Sequence, residues 1–178
     1  GLIVSPDGKS LYVANRDSND VAVISTSSMQ VERRIAVGSH PFGLSLSRDG
    51  KSLFAVNVQD DTVSIIDTRT SQSTTVKVGD HPYCATPSLD GKKLFVTNTQ
   101  SASVSVIDIT AKKVVNTIAV GEYPEGINYD AASDRIFVAN WFDDTVSVID
   151  ASNNQLIASV KTGSKSRAFG QFILETAH

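Results

Sequence analysis

Three features of this 178-residue sequence predict an all-β fold made of four repeated units. An asparagine closes the same apolar run four times, at Asn15, Asn57, Asn98 and Asn140, at spacings of 42, 41 and 42 residues. Each unit holds four short stretches rich in Val, Ile, Thr, Phe and Tyr between turn residues, which is how antiparallel strands read. No stretch keeps a 3.6-residue period over three turns, and this excludes a helical solenoid.

The strands of one unit are lettered A to D. Strand A begins as Gly1–Ser5 and recurs at Gly43–Ser47. Strand B reads LYVAN (Leu11–Asn15), LFAVN (Leu53–Asn57), LFVTN (Leu94–Asn98) and IFVAN (Ile136–Asn140). Strand C reads VAVIS (Val21–Ser25), VSIID (Val63–Asp67) and twice VSVID (Val104–Asp108, Val146–Asp150). Strand D runs into a glycine each time, at Gly38, Gly79, Gly121 and Gly163. Three A–B turns carry Asp-Gly-Lys, at Asp7-Gly8-Lys9, Asp49-Gly50-Lys51 and Asp90-Gly91-Lys92. There the Asp side chain caps the turn and Gly accepts a positive φ. Asp130-Ala131-Ala132-Ser133-Asp134 has no glycine, so a different turn is expected in the fourth unit.

Strands such as LFAV and VSIID are apolar on both faces, so each sheet must be covered on both sides. Four-stranded units repeating at ~40–50 residues, stacked face to face, form a radial β-propeller. The VANxxxxTVSVID core at Val138–Asp150 resembles the YVTN-repeat β-propellers of bacteria and archaea. The first unit departs from that pattern, with Ser25 in place of Asp67, Asp108 and Asp150. The resemblance implies a seven-bladed ring and a periplasmic, secreted or surface-layer protein. It also implies that Ser166–Ile173 (SRAFGQFI) ends in an inner strand that closes the ring.

The expected blades are 1–42, 43–83, 84–125 and 126–167, followed by a closing inner strand at 168–174. That last strand is one more than four blades use. Its partners would belong to further N-terminal blades; alternatively a second copy of the chain completes an eight-bladed ring, and each extra strand swaps or peels away. A seven-bladed ring would hold roughly 115 residues more.

Composition narrows the function. Net charge is −3 and the pI about 5.5, with no basic stripe, which argues against nucleic acid as a partner. A lone cysteine, Cys84, excludes an intrachain disulfide. No apolar run reaches the ~20 residues of a spanning helix. Residues 1–5 lack the basic start of a signal peptide, so the extracytoplasmic expectation rests on the resemblance alone.

In a propeller, D–A and B–C loops emerge on one face and A–B and C–D loops on the other. The A–B turns repeat, whereas the D–A and B–C loops vary, and variable loops on a rigid scaffold are where binding residues concentrate. The repeat places His40, His81 and Tyr123 at equivalent positions, with Phe42, Tyr83, Glu125 and Arg167 beside the channel mouth. Trp141 and Phe142 form the most apolar B–C loop tip. Aromatic rings with a few charges at a concave mouth suit a small polar ligand or a protein partner.

Two histidines on adjacent blades fall short of a metal set, and no metal or other cofactor is expected. The Asp60-Asp61 and Asp143-Asp144 pairs read as solvated turn residues, and the loop glycines as turn formers. Cys84 takes the place of Gly43 and Gly126 and reads as an inert thiol near the channel. No nucleophile elbow, phosphate loop, zinc-protease or haem-attachment motif occurs. The expectation is a non-catalytic binding or scaffolding propeller. The alternative is an enzyme, or an accessory subunit of a dehydrogenase-type redox system with a cofactor at the channel mouth.

Overall fold

Apolar residues on both faces of strands B and C produce sheets that stack rather than sheets with a wet side. The computed structural model describes residues 1–168 and 173. Blade one is β1 (Leu2–Val4), β2 (Ser10–Asn15), β3 (Asp20–Ser25) and β4 (Val31–Ala36). Blade two is β5 (Pro41–Leu46), β6 (Ser52–Asn57), β7 (Thr62–Asp67) and β8 (Ser73–Lys77). Blade three is β9 (Pro82–Pro87), β10 (Lys93–Asn98), β11 (Ser103–Asp108) and β12 (Lys113–Ala119). Blade four is β13 (Pro124–Asp130), β14 (Arg135–Asn140), β15 (Thr145–Asp150) and β16 (Gln155–Lys161). Each blade is an antiparallel meander in chain order, and no blade exchanges strands with another among the described residues. The chain is a β-propeller of four four-stranded blades over these residues, consistent with part of a seven-bladed ring.

The core lies between blades. Tyr12, Val21, Val23 and Ile35 of blade one pack on Leu53 and Ile66 of blade two. Phe54, Val63, Ile65 and Val76 pack on Leu94, Val96 and Ile107 in the same way. Phe95, Val104, Val106 and Ile118 then pack on Ile136, Val138 and Ile149. One face of a blade therefore uses one set of alternating residues and the opposite face uses the other set. At the two ends of the stack the same positions are open. Val160 of blade four is 52% exposed where its equivalent Ile118 is 5% exposed. Leu2 and Val31 on the free side of blade one are also exposed.

The three Asp-Gly-Lys turns form as expected, with φ of 71° at Gly8 and 69° at Gly50 and Gly91. In each, the aspartate accepts from the serine hydroxyl two residues before it and from the lysine amide two residues after it. These bonds hold the Asp49 carboxyl at about 2. The fourth turn differs: Asp134 takes the positive φ of 51°, Ser133 bonds Asp130, and the Tyr129 hydroxyl donates to Asp134 at 2.7 Å.

The glycines after strand D have a different reason from the expected one. Gly38, Gly79 and Gly121 are not the positive-φ residues of their loops; a Cβ on each would come within 2.6–2.8 Å of Asn57, Asn98 and Asn140 on the next blade. They are present so that one blade can approach the next. Those asparagines are fully buried and donate from Nδ2 to hydroxyls on strand C, as Asn57 does to Ser64 at 2.9 Å. At Gly163, where no further blade lies alongside, a Cβ would meet nothing within 4 Å.

The expected closing strand at 168–174 falls outside the described residues except for Ala168 and Ile173. The amide of Ile173 donates to Asn128 of β13 at 3.2 Å, and a Cβ on Gly126 of β13 would run into Ala168. Among the described residues no helix is long and apolar enough to cross a membrane.

Candidate functional site

The D–A and B–C loops share one face and are bonded together. Each D–A loop turns on a residue with positive φ: His40 (55°), His81 (53°), Tyr123 (56°) and Lys165 (58°). The amide of His40 donates to Asn19, and that of His81 to Asp61, both on the B–C loop of the same blade. One residue earlier, the Ser39 amide donates to Asp60 and the Glu122 amide to Asp143, on the following blade. The paired aspartates are turn residues, as their sequence suggested, with Asp60 and Asp143 exposed, and they also fasten the loops. One of each pair fastens its own blade's loop, and in Asp60 and Asp143 the other fastens the preceding one. The His81 amide bond holds the Asp61 carboxyl below its ordinary range.

On this frame Phe42, Tyr83, Glu125 and Arg167 hold the same repeat position, at the start of the inner strand in the first three cases. The rings of Phe42 and Tyr83 lie 4.4 Å apart at 32°. At the next two positions the aromatic series gives way to an ion pair. Glu125 is only 2% exposed and accepts two hydrogen bonds from Arg167, from Nε at 2.7 Å and from Nη2 at 2.8 Å. The Arg167 guanidinium lies over the Trp141 ring, with Cζ 4.1 Å from its centre. It also hydrogen-bonds Tyr83. Burial first, and the nearby Glu125 charge second, push the Tyr83 phenol above its ordinary value.

A second aromatic group adjoins the first. Tyr123 stacks on Phe142 at 4.5 Å and meets Trp141 edge-on at 5.8 Å. The Lys165 ammonium sits 4.7 Å from the Phe142 ring centre. Two cations therefore lie on two adjoining aromatic faces, Arg167 on Trp141 and Lys165 on Phe142.

Thr97 supports the ion pair from behind. Its hydroxyl donates to the Glu125 carbonyl at 3.0 Å and accepts from the Cys84 amide at 3.1 Å. The other blades have Ala14, Val56 and Ala139 at this position, so the hydroxyl belongs to this junction alone. Cys84 stands on β9, half-buried, and burial pushes its thiol up to about 12, the value of an inert group. The inner strands border an open recess of about 350 Å³ lined by Gly43, Leu44, Cys84 and Gly126 among others.

Of the residues singled out from sequence, Tyr83, Tyr123, Glu125, Trp141, Phe142 and Arg167 converge where blade three meets blade four. His40 and His81 do not join them. His40 shares a hydrogen bond with the Ser39 hydroxyl at 2.9 Å, and both histidines serve the earlier loops. No group of three His, Cys, Asp or Glu side chains among the described residues is placed to hold a metal ion. Sequence reasoning missed Thr97 and Lys165. The departure of Thr97 from Ala and Val at its repeat position was the available signal.

Comparisons with known proteins agree on the architecture. A family model described as lactonase, seven-bladed β-propeller, matches residues 1–87. The hydrazine synthase of Kuenenia stuttgartiensis superposes with a TM-score of 0.82 at 24% identity, over 89% of this chain and 47% of that one. At this identity the likeness is one of fold, and the chain spans about half the length of that structure. No curated protein matches the sequence. The chain belongs among the β-propellers.

Proposed function

We propose that this chain is the binding part of a non-catalytic propeller whose D–A and B–C loop face takes a small polar ligand or a protein partner at the junction of blades three and four. The observation that carries this reading is the buried Glu125 carboxylate, held by Arg167 beside the Trp141, Tyr123 and Phe142 rings. A scaffold position would be met by a third aromatic ring, because burying the Glu125 carboxylate carries a desolvation cost that an apolar residue avoids. In this reading further blades of the same kind cover the open faces of blades one and four. The YVTN-like core at Val138–Asp150 supports an extracytoplasmic location.

Trp141 is the only tryptophan, so its emission reports on this mouth. Titration with free amino acids, hydroxy acids and short peptides is expected to give a saturable change with one of these classes, and Phe142→Ala to weaken it. A flat response to all three contradicts the reading.

The lactonase match over residues 1–87 favours a second reading, in which the full propeller opens a lactone. Water would add to the ring carbonyl, the ring C–O bond would break with the proton of the water passing to the leaving oxygen, and the hydroxy acid would ionise to a hydroxy carboxylate and a proton. Acid release from a lactone substrate, abolished by His40→Ala or His81→Ala, would favour it over the binding reading.

A further inference from the structure

Glu125 and Arg167 occupy the same repeat position, one blade apart, where Phe42 and Tyr83 stand in the preceding blades. The carboxylate is nearly sealed from solvent, and the guanidinium reaches it from the exposed side, its side chain still 37% exposed. That guanidinium donates to both Glu125 carboxylate oxygens and to Tyr83, and lies against the flat face of Trp141. A carboxylate fork matched to a planar guanidinium, with an aromatic ring on its face, distinguishes that group from an ammonium. Thr97 fixes the Glu125 backbone, so the receiving half of the site is rigid. The receiving half lies on strands and loops of blades three and four. The arriving half is a single side chain that follows the last described strand.

We propose that Glu125, Trp141 and Tyr83 form a guanidinium-binding site that Arg167 fills from within the chain, and that the site accepts the arginine side chain of a partner, or a free guanidinium compound, when Arg167 is displaced. The inference rests on the binding role of this mouth and names its ligand chemistry. Arg167 acts as a tethered competitor. A tethered group competes at an effective concentration on the order of millimolar, so an external guanidinium binds the wild type weakly and binds tightly once the tether's side chain is gone.

The test uses two probes, methylguanidinium and N-acetyl-arginine amide, read by Trp141 emission and thermal shift on the wild type, Arg167→Ala and Arg167→Gln. N-acetyl-lysine amide is the control. Arg167→Ala is expected to bind both guanidinium probes at least about tenfold more tightly than the wild type, and the lysine probe not at all. Adding Glu125→Gln removes that gain. Equal affinity for the two guanidinium probes points to free small molecules as the source, and a preference for the peptide-borne group points to a protein partner. Arg167→Gln keeps a polar group beside Glu125 and replaces Arg167→Ala if the latter does not fold. Failure of both probes to bind either variant overturns the proposal. If the wild type still answers another ligand class in that case, the mouth remains a binding site and only its guanidinium chemistry is lost.

Discussion

The junctions between blades and the two end faces of the stack are built from the same residues and have opposite surroundings. At the junctions, Ile35, Val76 and Ile118 are 3–5% exposed, whereas Val160, at the same repeat position, is 52% exposed. Phe95 is fully buried at the third junction, while Phe137, its equivalent, borders an open recess. The glycines repeat the lesson. Gly79 has an asparagine against it and Gly163 has open space. Blades in such a fold are stabilised by their neighbours, so an end blade carries the sequence of a covered sheet without the cover.

Matched substitutions at junction and end sharpen this difference. The largest effect is expected for Phe95→Ala, at about 3–5 kcal/mol of unfolding free energy, with Phe137→Ala costing less than half as much. Urea denaturation of both variants measures it; equal costs would break the comparison. Gly79→Ala drives a methyl group into Asn98 and should cost about 1–3 kcal/mol, whereas Gly163→Ala should stay within about 0.5 kcal/mol.

A smaller effect isolates the third junction. Thr97→Val keeps the shape and removes the hydroxyl that joins the Glu125 carbonyl to the Cys84 amide. The expected loss is about 1–2 kcal/mol, together with weaker attachment of Arg167 that is visible in Trp141 emission. No change in either would remove Thr97 from the account.

The smallest effect concerns Cys84. Its thiol is raised from 9.0 to about 12, so between those values the unfolded chain ionises while the folded one stays protonated. The folded state therefore holds more protons, and this contribution falls as pH rises from about 9 to 12, being intact below that range. Iodoacetamide at pH 8 should label Cys84 far more slowly in the folded protein than in the urea-unfolded one. Equal rates would refute the buried placement.

Much of the fold was legible because periodicity is a local property of the chain. Strand order and the Asp-Gly-Lys turns follow from residues within one unit of about forty. The site was legible only as a set of candidates. The repeat placed Tyr83, Glu125 and Arg167 at one kind of position, yet pairing Glu125 with Arg167 needs the distance between successive blades. A residue list does not carry that distance. The sign of the pair was nevertheless present, since a carboxylate and a guanidinium one repeat apart replace two aromatic rings. The contacts of Asp60, Asp61 and Gly38 were not legible for a related reason. Their partners lie on another loop or blade, some twenty residues away.

The exposed apolar side chains on both end faces suit cover by another blade. The native mass of the 178-residue chain, recorded over a concentration series with a fluorescent hydrophobic dye present, tests this most directly. Dimers or larger assemblies that take up less dye per chain as they form are expected, because exposed apolar sheet faces associate. A chain that stays monomeric throughout and binds no dye would contradict it.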